Sequence, residues 1–190
     1  MVLLDLSPLG KLDRMGFYRL CAANPDLKLE RTAQGELVVM APTGGESGRL
    51  NARLIAEVVI WNLRTQLGEV FDSSTGFALP NGADRSPDLA WIPRATWDAL
   101  SPEERRGFLP VCPEFVVELL SPTDTWGAGQ RKLEEYRACG CRLGWLIDPQ
   151  QGRVAIYRVG QPVEILERPA TLSGEEVLPG LEVKLDFLWG

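Results

Sequence analysis

The run Phe115-Val116-Val117-Glu118-Leu119-Leu120 constrains the fold more than any other stretch of the chain. Its apolar residues do not alternate with polar ones, so it reads as a strand buried on both faces. Glu118 stands in the middle of it. An ionised carboxylate in an apolar layer is costly unless something offsets its charge. Glu118 therefore belongs either to a buried ion pair, with Arg85 or Arg142 as candidate partners, or to a functional site.

A chain of 190 residues with 45% hydrophobic content can bury one good core, and one compact mixed domain is expected. The formal net charge of −6 argues against non-specific coating of nucleic acid, which depends on neutralising phosphates with Lys and Arg. A local basic groove is still compatible with it. The lysines are Lys11, Lys28, Lys132 and Lys184, so a lysine in a conspicuous place carries information. The chain has no histidine, which removes Ser-His-Asp and Cys-His mechanisms. Four cysteines, Cys21, Cys112, Cys139 and Cys141, form no CxxC pair and read as free thiols. Any catalysis must rest on carboxylates, Lys, Tyr or a metal ion. The opening residues lack the pattern of a signal peptide and no window approaches a membrane span, so a soluble, cytoplasmic protein is expected.

Along the chain, apolar spacing predicts a short amphipathic helix from about Ser7 to Asn24. A hairpin follows, with Leu27–Arg31 and Glu36–Met40 joined through Ala33-Gln34-Gly35. Leu50, Leu54, Ile55, Val58, Val59, Trp61 and Leu63 set a long helix from Glu46 to about Leu67, stopped by Gly68. Glu46 and Glu57 share one face of it but lie about 16 Å apart along the axis. Short strands are expected at Glu69–Asp72 and Gly76–Leu79, then a strand over Arg85–Ile92 with Pro87 at its start and Asp88 near its entry. Two short helical turns span Arg94–Leu100 and Ser101–Arg105. Beyond the Glu118 run, a helix from Gly127 to Cys139 and a strand over Leu143–Asp148 complete a βαβ unit with parallel neighbouring strands. The tail, from Arg153 onward, reads as short strands and turns.

Three side chains then converge: Asp88 at a strand entry, Glu118 inside the apolar strand, and Lys132 on the helix that leaves it. Tyr136 lies one turn further along the same helical face. Two carboxylates and a lysine suit Mg²⁺- or Mn²⁺-dependent phosphodiester cleavage. Mg²⁺ is held by one or two carboxylates plus phosphate oxygens and water, and a lysine can orient water or offset developing negative charge. Taken alone, Asp88 reads equally well as a strand-entry residue, and Lys132 as a solvated charge.

Four successive segments carry a resemblance to a known family: Arg85-Ser86-Pro87-Asp88, Val117-Glu118-Leu119-Leu120-Ser121-Pro122-Thr123-Asp124, Arg131-Lys132-Leu133-Glu134-Glu135-Tyr136, and Gly144-Trp145-Leu146-Ile147-Asp148-Pro149. Together with Ala41–Arg49 at the entry of the first long helix, they resemble the bacterial putative restriction endonuclease family, abundant in cyanobacteria, of the PD-(D/E)XK superfamily. The resemblance covers the chain from about Leu9 onward. It implies a restriction-endonuclease-like α/β core, a mixed central β-sheet flanked by helices, with additional β-hairpins at both ends. The expected organisation is a single domain, with an N-terminal helix and hairpin over 1–41, the nuclease-like core over 42–150 and C-terminal strands over 151–190.

The same resemblance implies DNA as substrate, with Asp88 and Glu118 as ligands of a divalent ion. Leu120 occupies the place of the superfamily lysine, two residues beyond the glutamate. Some relatives carry that lysine on the following helix, where this chain has Lys132. Glu46, Tyr136 and Arg85 are accessory candidates, Glu46 as a first-helix acid and Tyr136 as a hydrogen-bonder in the pocket. A homo-oligomer, dimer or higher, is expected from the six tryptophans and the two-fold symmetry of duplex DNA. Two other readings fit the same residues: a catalytically inactive nuclease-fold scaffold binding nucleic acid or protein, and a hydrolase of small phosphorylated molecules.

Overall fold

The structure is a computed structural model that describes residues 2–4 and 11–189. Its centre is a six-stranded sheet of β4 (Gly68–Asp72), β7 (Leu89–Pro93), β8 (Phe115–Leu119), β9 (Leu143–Asp148), β10 (Arg153–Arg158) and β11 (Glu164–Glu167). Their order across the sheet is β11-β10-β9-β8-β7-β4. β8 and β9 run parallel and every other neighbouring pair is antiparallel, so the sheet is mixed. The parallel pair brackets helix α4 (Trp126–Ala138), as the βαβ pattern requires.

Alternation along the central strands assigns the two faces. Phe115, Val117, Leu143, Trp145, Ile147, Leu89 and Trp91 pack with Leu50, Leu54, Val58 and Trp61 of helix α2 (Gly45–Thr65) and with the C-terminal Leu172, Leu178 and Val183. Val116, Leu120, Leu146, Ala90 and Ile92 face the other way, onto Leu133 and Tyr136 of α4. Burial on both sides is why the β8 sequence does not alternate. α4 lies close to the sheet because Gly144 and Gly129 leave room for it. A Cβ on Gly144 would stand 2.5 Å from Leu133 Cδ1, and one on Gly129 equally close to Leu146 Cδ1.

A second sheet of five strands carries the N-terminal hairpin. It contains β1 (Val2–Leu4), β2 (Lys28–Arg31), β3 (Leu37–Met40), β5 (Phe77–Ala78) and β6 (Asp84–Arg85), in the order β1-β3-β2-β6-β5. Gly35, at φ 88°, supplies the left-handed residue of the β2–β3 turn. Helix α1 (Arg14–Ala23) seats Phe17 against Leu29 and Leu37. The expected helix start at Ser7 falls where residues 7–10 lie outside the described residues, and the described helix begins after an Asp13 cap whose side chain accepts from the Gly16 amide. A small hairpin of β12 (Thr171–Ser173) and β13 (Glu182–Lys184) closes the chain.

One local expectation is corrected. Arg85–Ile92 is not one strand: Asp84 and Arg85 pair in the second sheet, Leu89–Pro93 in the first, and Pro87, which has no N–H to donate, lies in the break. The helical turns after β7 are α3 (Arg94–Ala99) and a 3₁₀ turn at Glu104–Arg106. Ser101 and Glu104 cap the latter reciprocally, Glu104 donating its amide to Ser101 Oγ and accepting from the Ser101 amide.

Candidate active site

The β7–β8 ladder creates the site. Leu89 pairs with Val117 and Ala90 with Val116, so extending the register by one residue sets Asp88 opposite Glu118, on the face that looks toward α4. Directly opposed side chains on antiparallel strands have Cβ atoms about 5 Å apart. Two carboxylates are therefore held at neighbouring strand positions, a like-charge pair that needs positive charge nearby. Asp88 is fixed at both ends. Its Oδ2 accepts the Leu119 amide at 2.9 Å, and its backbone carbonyl accepts from Asn51 Nδ2 of α2 at 3.3 Å.

Lys132 comes from the second turn of α4. Its ammonium lies 2.8 Å from Glu118 Oε1 and is 15% exposed. Tyr136, one turn later on the same face and fully buried, donates its hydroxyl to the same Glu118 oxygen at 3.3 Å. Neither Arg85 nor Arg142 is the partner of Glu118, the alternatives that the sequence left open. Arg142 pairs at 3.0 Å with Glu114, which immediately precedes β8, and Arg85 turns to other carboxylates.

The next member carries no signal in the sequence. Glu30 on β2, 1% exposed, accepts the Lys132 ammonium at 2.9 Å, the Ser86 amide at 3.0 Å and Arg85 NH1 at 3.2 Å. Arg85 also pairs with Glu135 of α4, whose other oxygen accepts from Asn81 at 3.0 Å. Four carboxylates (Glu30, Asp88, Glu118 and Glu135) thus surround two bonded cations, Lys132 and Arg85, and the cluster keeps an excess of negative charge. Lys28, two residues from Glu30 on the same face of β2, adds a positive charge that Asp88 feels without bonding to it among the described residues.

The electrostatics follow from burial and count. Burial pushes the Glu118 carboxyl up to about 7, reinforced by Asp88 and Glu30 and only partly offset by Lys132. Burial likewise raises Asp88, against the opposing influence of Lys132 and the Leu119 amide. Glu30 goes the other way: burial opposes its charge, but Lys132, Arg85 and the Ser86 amide together hold it below the ordinary glutamate value. Burial also opposes the Lys132 charge, yet Glu118, Glu30 and Asp88 outweigh it and the ammonium holds its proton more tightly than a free lysine. Tyr136 is raised well above its ordinary value by burial and by Glu118 and Glu30, so it serves as a hydrogen-bond donor.

Among the described residues no group of three or more His, Cys, Asp or Glu side chains is arranged to hold a metal ion. The donor set at Asp88 and Glu118 fits a hard divalent cation that takes two protein carboxylates and fills its remaining positions from water and substrate, the habit of Mg²⁺. Glu46 is not bonded into this cluster. Its side chain is 72% exposed at the start of α2 and pairs with Arg49, while Glu57 is exposed further along the helix. The Ser121–Thr125 segment shapes the turn into α4. Ser121 donates to Asp124 through amide and hydroxyl, and Thr125 caps the helix by accepting the Ala128 amide at 3.3 Å.

A mixed sheet between helices, with a βαβ unit at its centre, is the restriction-endonuclease-like fold. The crystal structure of a putative nuclease belonging to DUF820 from Anabaena variabilis ATCC 29413 matches it with a TM-score of 0.71 at 18% identity, over 85% of this chain and 89% of that one. The Uma2 family model, described as putative restriction endonuclease, matches residues 15–187, and the chain belongs to this family. No curated protein matches the chain. No described helix is long and apolar enough to cross a membrane.

Proposed function

We propose that the protein is a divalent-metal-dependent endonuclease that hydrolyses phosphodiester bonds in DNA. The observation that carries this reading is the pair Asp88 and Glu118, two raised carboxyls on facing strand positions, in a cluster with more negative than positive charge. These two residues would hold Mg²⁺ or Mn²⁺, which supplies Lewis-acid activation of water and of the scissile phosphate. Lys132 keeps its proton between two carboxylates, so its part is to stabilise the charge that develops on the phosphate oxygens rather than to accept a proton. Tyr136 fixes the Glu118 carboxyl from the α4 side through its hydroxyl.

The test has two stages. Calorimetric titration of Mn²⁺ should show binding to the wild type that is lost in Asp88→Ala, and equal affinity in the two proteins would remove the site. Supercoiled, linear, branched and single-stranded DNA with Mg²⁺ or Mn²⁺ should then reveal cleavage that Glu118→Gln abolishes. A second reading, a nuclease-fold scaffold without turnover, is favoured by the net charge of −6 and by the contact that already neutralises part of Glu118. Metal binding without cleavage of any of these DNAs would select it. Self-association is supported by Ile60, Leu63 and Leu67, which leave an apolar stripe exposed near the end of α2. Sedimentation at several concentrations tests that stripe, with Leu63→Glu expected to give the smaller species.

A further inference from the structure

Glu30 lies in the N-terminal hairpin, 102 positions before the lysine to which it is bonded, and outside every motif that marks the site. We propose that Glu30 is a positioning residue of this active site: its carboxylate is the fixed seat from which the Lys132 ammonium reaches Glu118 or an anionic phosphate oxygen of the substrate. This inference rests on the nuclease reading above for its consequence, though not for its geometry.

The seat is rigid because each oxygen of Glu30 is committed. Oε1 accepts the Ser86 amide as well as Lys132, and Oε2 accepts Arg85. Arg85 is held in turn by Glu135, which lies on α4 one turn beyond Lys132. β2, β6 and α4 are thereby closed into a ring, Glu30 to Lys132, along α4 to Glu135, then through Arg85 back to Glu30. A free lysine stem loses rotamer entropy when it is ordered, and the ring removes that freedom before substrate arrives.

The division of labour among the carboxylates follows from their bonds. Glu30 already accepts three N–H donors, two of them from cations, so it is poorly suited to bind a metal ion as well, whereas the Asp88 carboxylate accepts only the Leu119 amide among the described residues. An ammonium has three N–H donors. Among the described residues Lys132 uses them on Glu30 at 2.9 Å and Glu118 at 2.8 Å, which leaves one for a third acceptor. A phosphate oxygen is the acceptor this setting favours, since it can draw the ammonium away from Glu118 while Glu30 keeps hold of it.

The experiment is a double-mutant cycle on DNA cleavage with Glu30→Gln, Lys132→Ala and their combination. Glu30→Gln should lower kcat by about tenfold or more with KM within about twofold, and Mn²⁺ affinity should stay within about twofold of wild type. In the Lys132→Ala background the same substitution should change kcat by less than about twofold, because the residue it acts through is gone. An unchanged kcat, or a full effect that persists without Lys132, would overturn the proposal. Glu30→Asp, which keeps the charge but withdraws it by one methylene, should fold and show an intermediate loss.

A second measurement is independent of turnover. With lysines labelled in ¹⁵N, four side-chain ammonium signals are expected, and the Lys132 signal is assigned by its absence in Lys132→Ala. Glu30→Gln should shift or broaden that signal and leave those of Lys11 and Lys184 in place. A Lys132 signal that does not move defeats the positioning role, even if cleavage is observed. A shifted signal in a protein that cleaves nothing leaves the positioning intact and defeats the nuclease reading instead.

Discussion

Glu30 and Arg31 are consecutive residues of one strand, and each enters a different buried cluster of charges. Arg31, on the outer face of β2, donates Nε to Asp84 Oδ2 at 2.8 Å, NH1 to the Leu12 carbonyl at 3.1 Å and NH2 to the Gly82 carbonyl at 2.6 Å. Asp84 is fully buried, and its other oxygen meets Arg14 at 3.1 Å and the Tyr18 hydroxyl at 3.3 Å. Arg14 also donates to the carbonyls of Leu79 and Ala83. One carboxylate faces two guanidinium groups and a hydroxyl, and the result fastens α1 to the second sheet. On the opposite face Glu30 enters a cluster in which, among the described residues, carboxylates outnumber cations and the Asp88 carboxylate has a single bonded donor. Burial of charge is common to both. What separates a fastener from a site is the sign of the excess: cations outnumber the carboxylate at Asp84, whereas carboxylates outnumber the bonded cations around Glu30.

The largest effect expected from breaking this contrast is on chemistry. Asp88→Ala and Glu118→Gln should lower DNA cleavage by at least about a hundredfold, measured as single-turnover rates at one Mn²⁺ concentration that saturates the wild type. Neither should lower stability, because each removes one of two facing carboxylates that repel each other. A melting temperature that falls sharply in both variants would place Glu118 among the fasteners.

Asp84→Ala is the opposite case. It strands the buried Arg31 guanidinium and takes a partner from Arg14, whose side chain is 37% exposed, and loss of one partner from a buried pair costs about 3–5 kcal/mol. Urea unfolding should show a loss of that size, with Mn²⁺ affinity unchanged in the molecules that remain folded. Little destabilisation would mean that Arg31 and Arg14 find enough carbonyl acceptors without Asp84, and the contrast between the clusters would weaken.

How much of this is legible in the sequence differs between the same two regions. The apolar period of α2, the unbroken run of β8 and the strand-helix-strand order define the central sheet and α4, and they bring Asp88, Glu118, Lys132 and Tyr136 to one face. Glu118, Lys132 and Tyr136 lie on the strand and helix of one βαβ unit and Asp88 just before the strand paired with β8, so pattern together with the motif resemblance reaches all four. Glu30 and Arg31 are illegible for a physical reason. Leu27-Lys28-Leu29-Glu30 alternates as an ordinary half-solvated hairpin strand would, Arg31 follows as one more charge, and only the docking of that hairpin against α4 and β6 buries these polar residues. No local signal reveals a partner 102 positions away. The break at Pro87 is hidden for a related reason: Asp84 and Arg85 are drawn into the second sheet by β2, which the sequence around them does not announce.

A smaller effect sharpens the comparison through pH. The folded protein holds the Glu118 proton up to about 7, above the ordinary value of 4.5, so the folded state binds this proton more tightly than the unfolded chain. The contribution of this group to stability is complete below the ordinary value and is lost as pH rises through about 7. Groups remote from Glu118 cancel in the difference between wild type and Glu118→Gln, and Asp88, relieved of a facing charge in the variant, changes it in the same direction. The melting temperature of the variant relative to wild type should therefore climb from near zero at about pH 5 to a clear gain at about pH 8. Mn²⁺ competes with the same proton, so its affinity for wild type should increase over the same interval. A difference that is flat with pH would mean that Lys132 keeps Glu118 ionised throughout.

The smallest effect belongs to charges that join neither cluster. Glu134 sits on the outer face of α4, 46% exposed, and pairs with Arg137 one turn away, beside Tyr157, over whose ring Arg137 lies at 5.8 Å. Exposed pairs of this kind contribute about 0.3–0.5 kcal/mol. Glu134→Ala should change unfolding free energy by no more than about that amount, and the change should shrink further in about 1 M salt, where the screening length falls to about 3 Å. Glu134 and Glu135 are adjacent, as Glu30 and Arg31 are, yet only Glu135 turns inward to Arg85. Glu135→Ala should accordingly cost more than Glu134→Ala and should lower kcat as well, because it loosens the ring that seats Lys132. Equal and salt-sensitive effects from the two substitutions would show that α4 holds Lys132 in place without the ring.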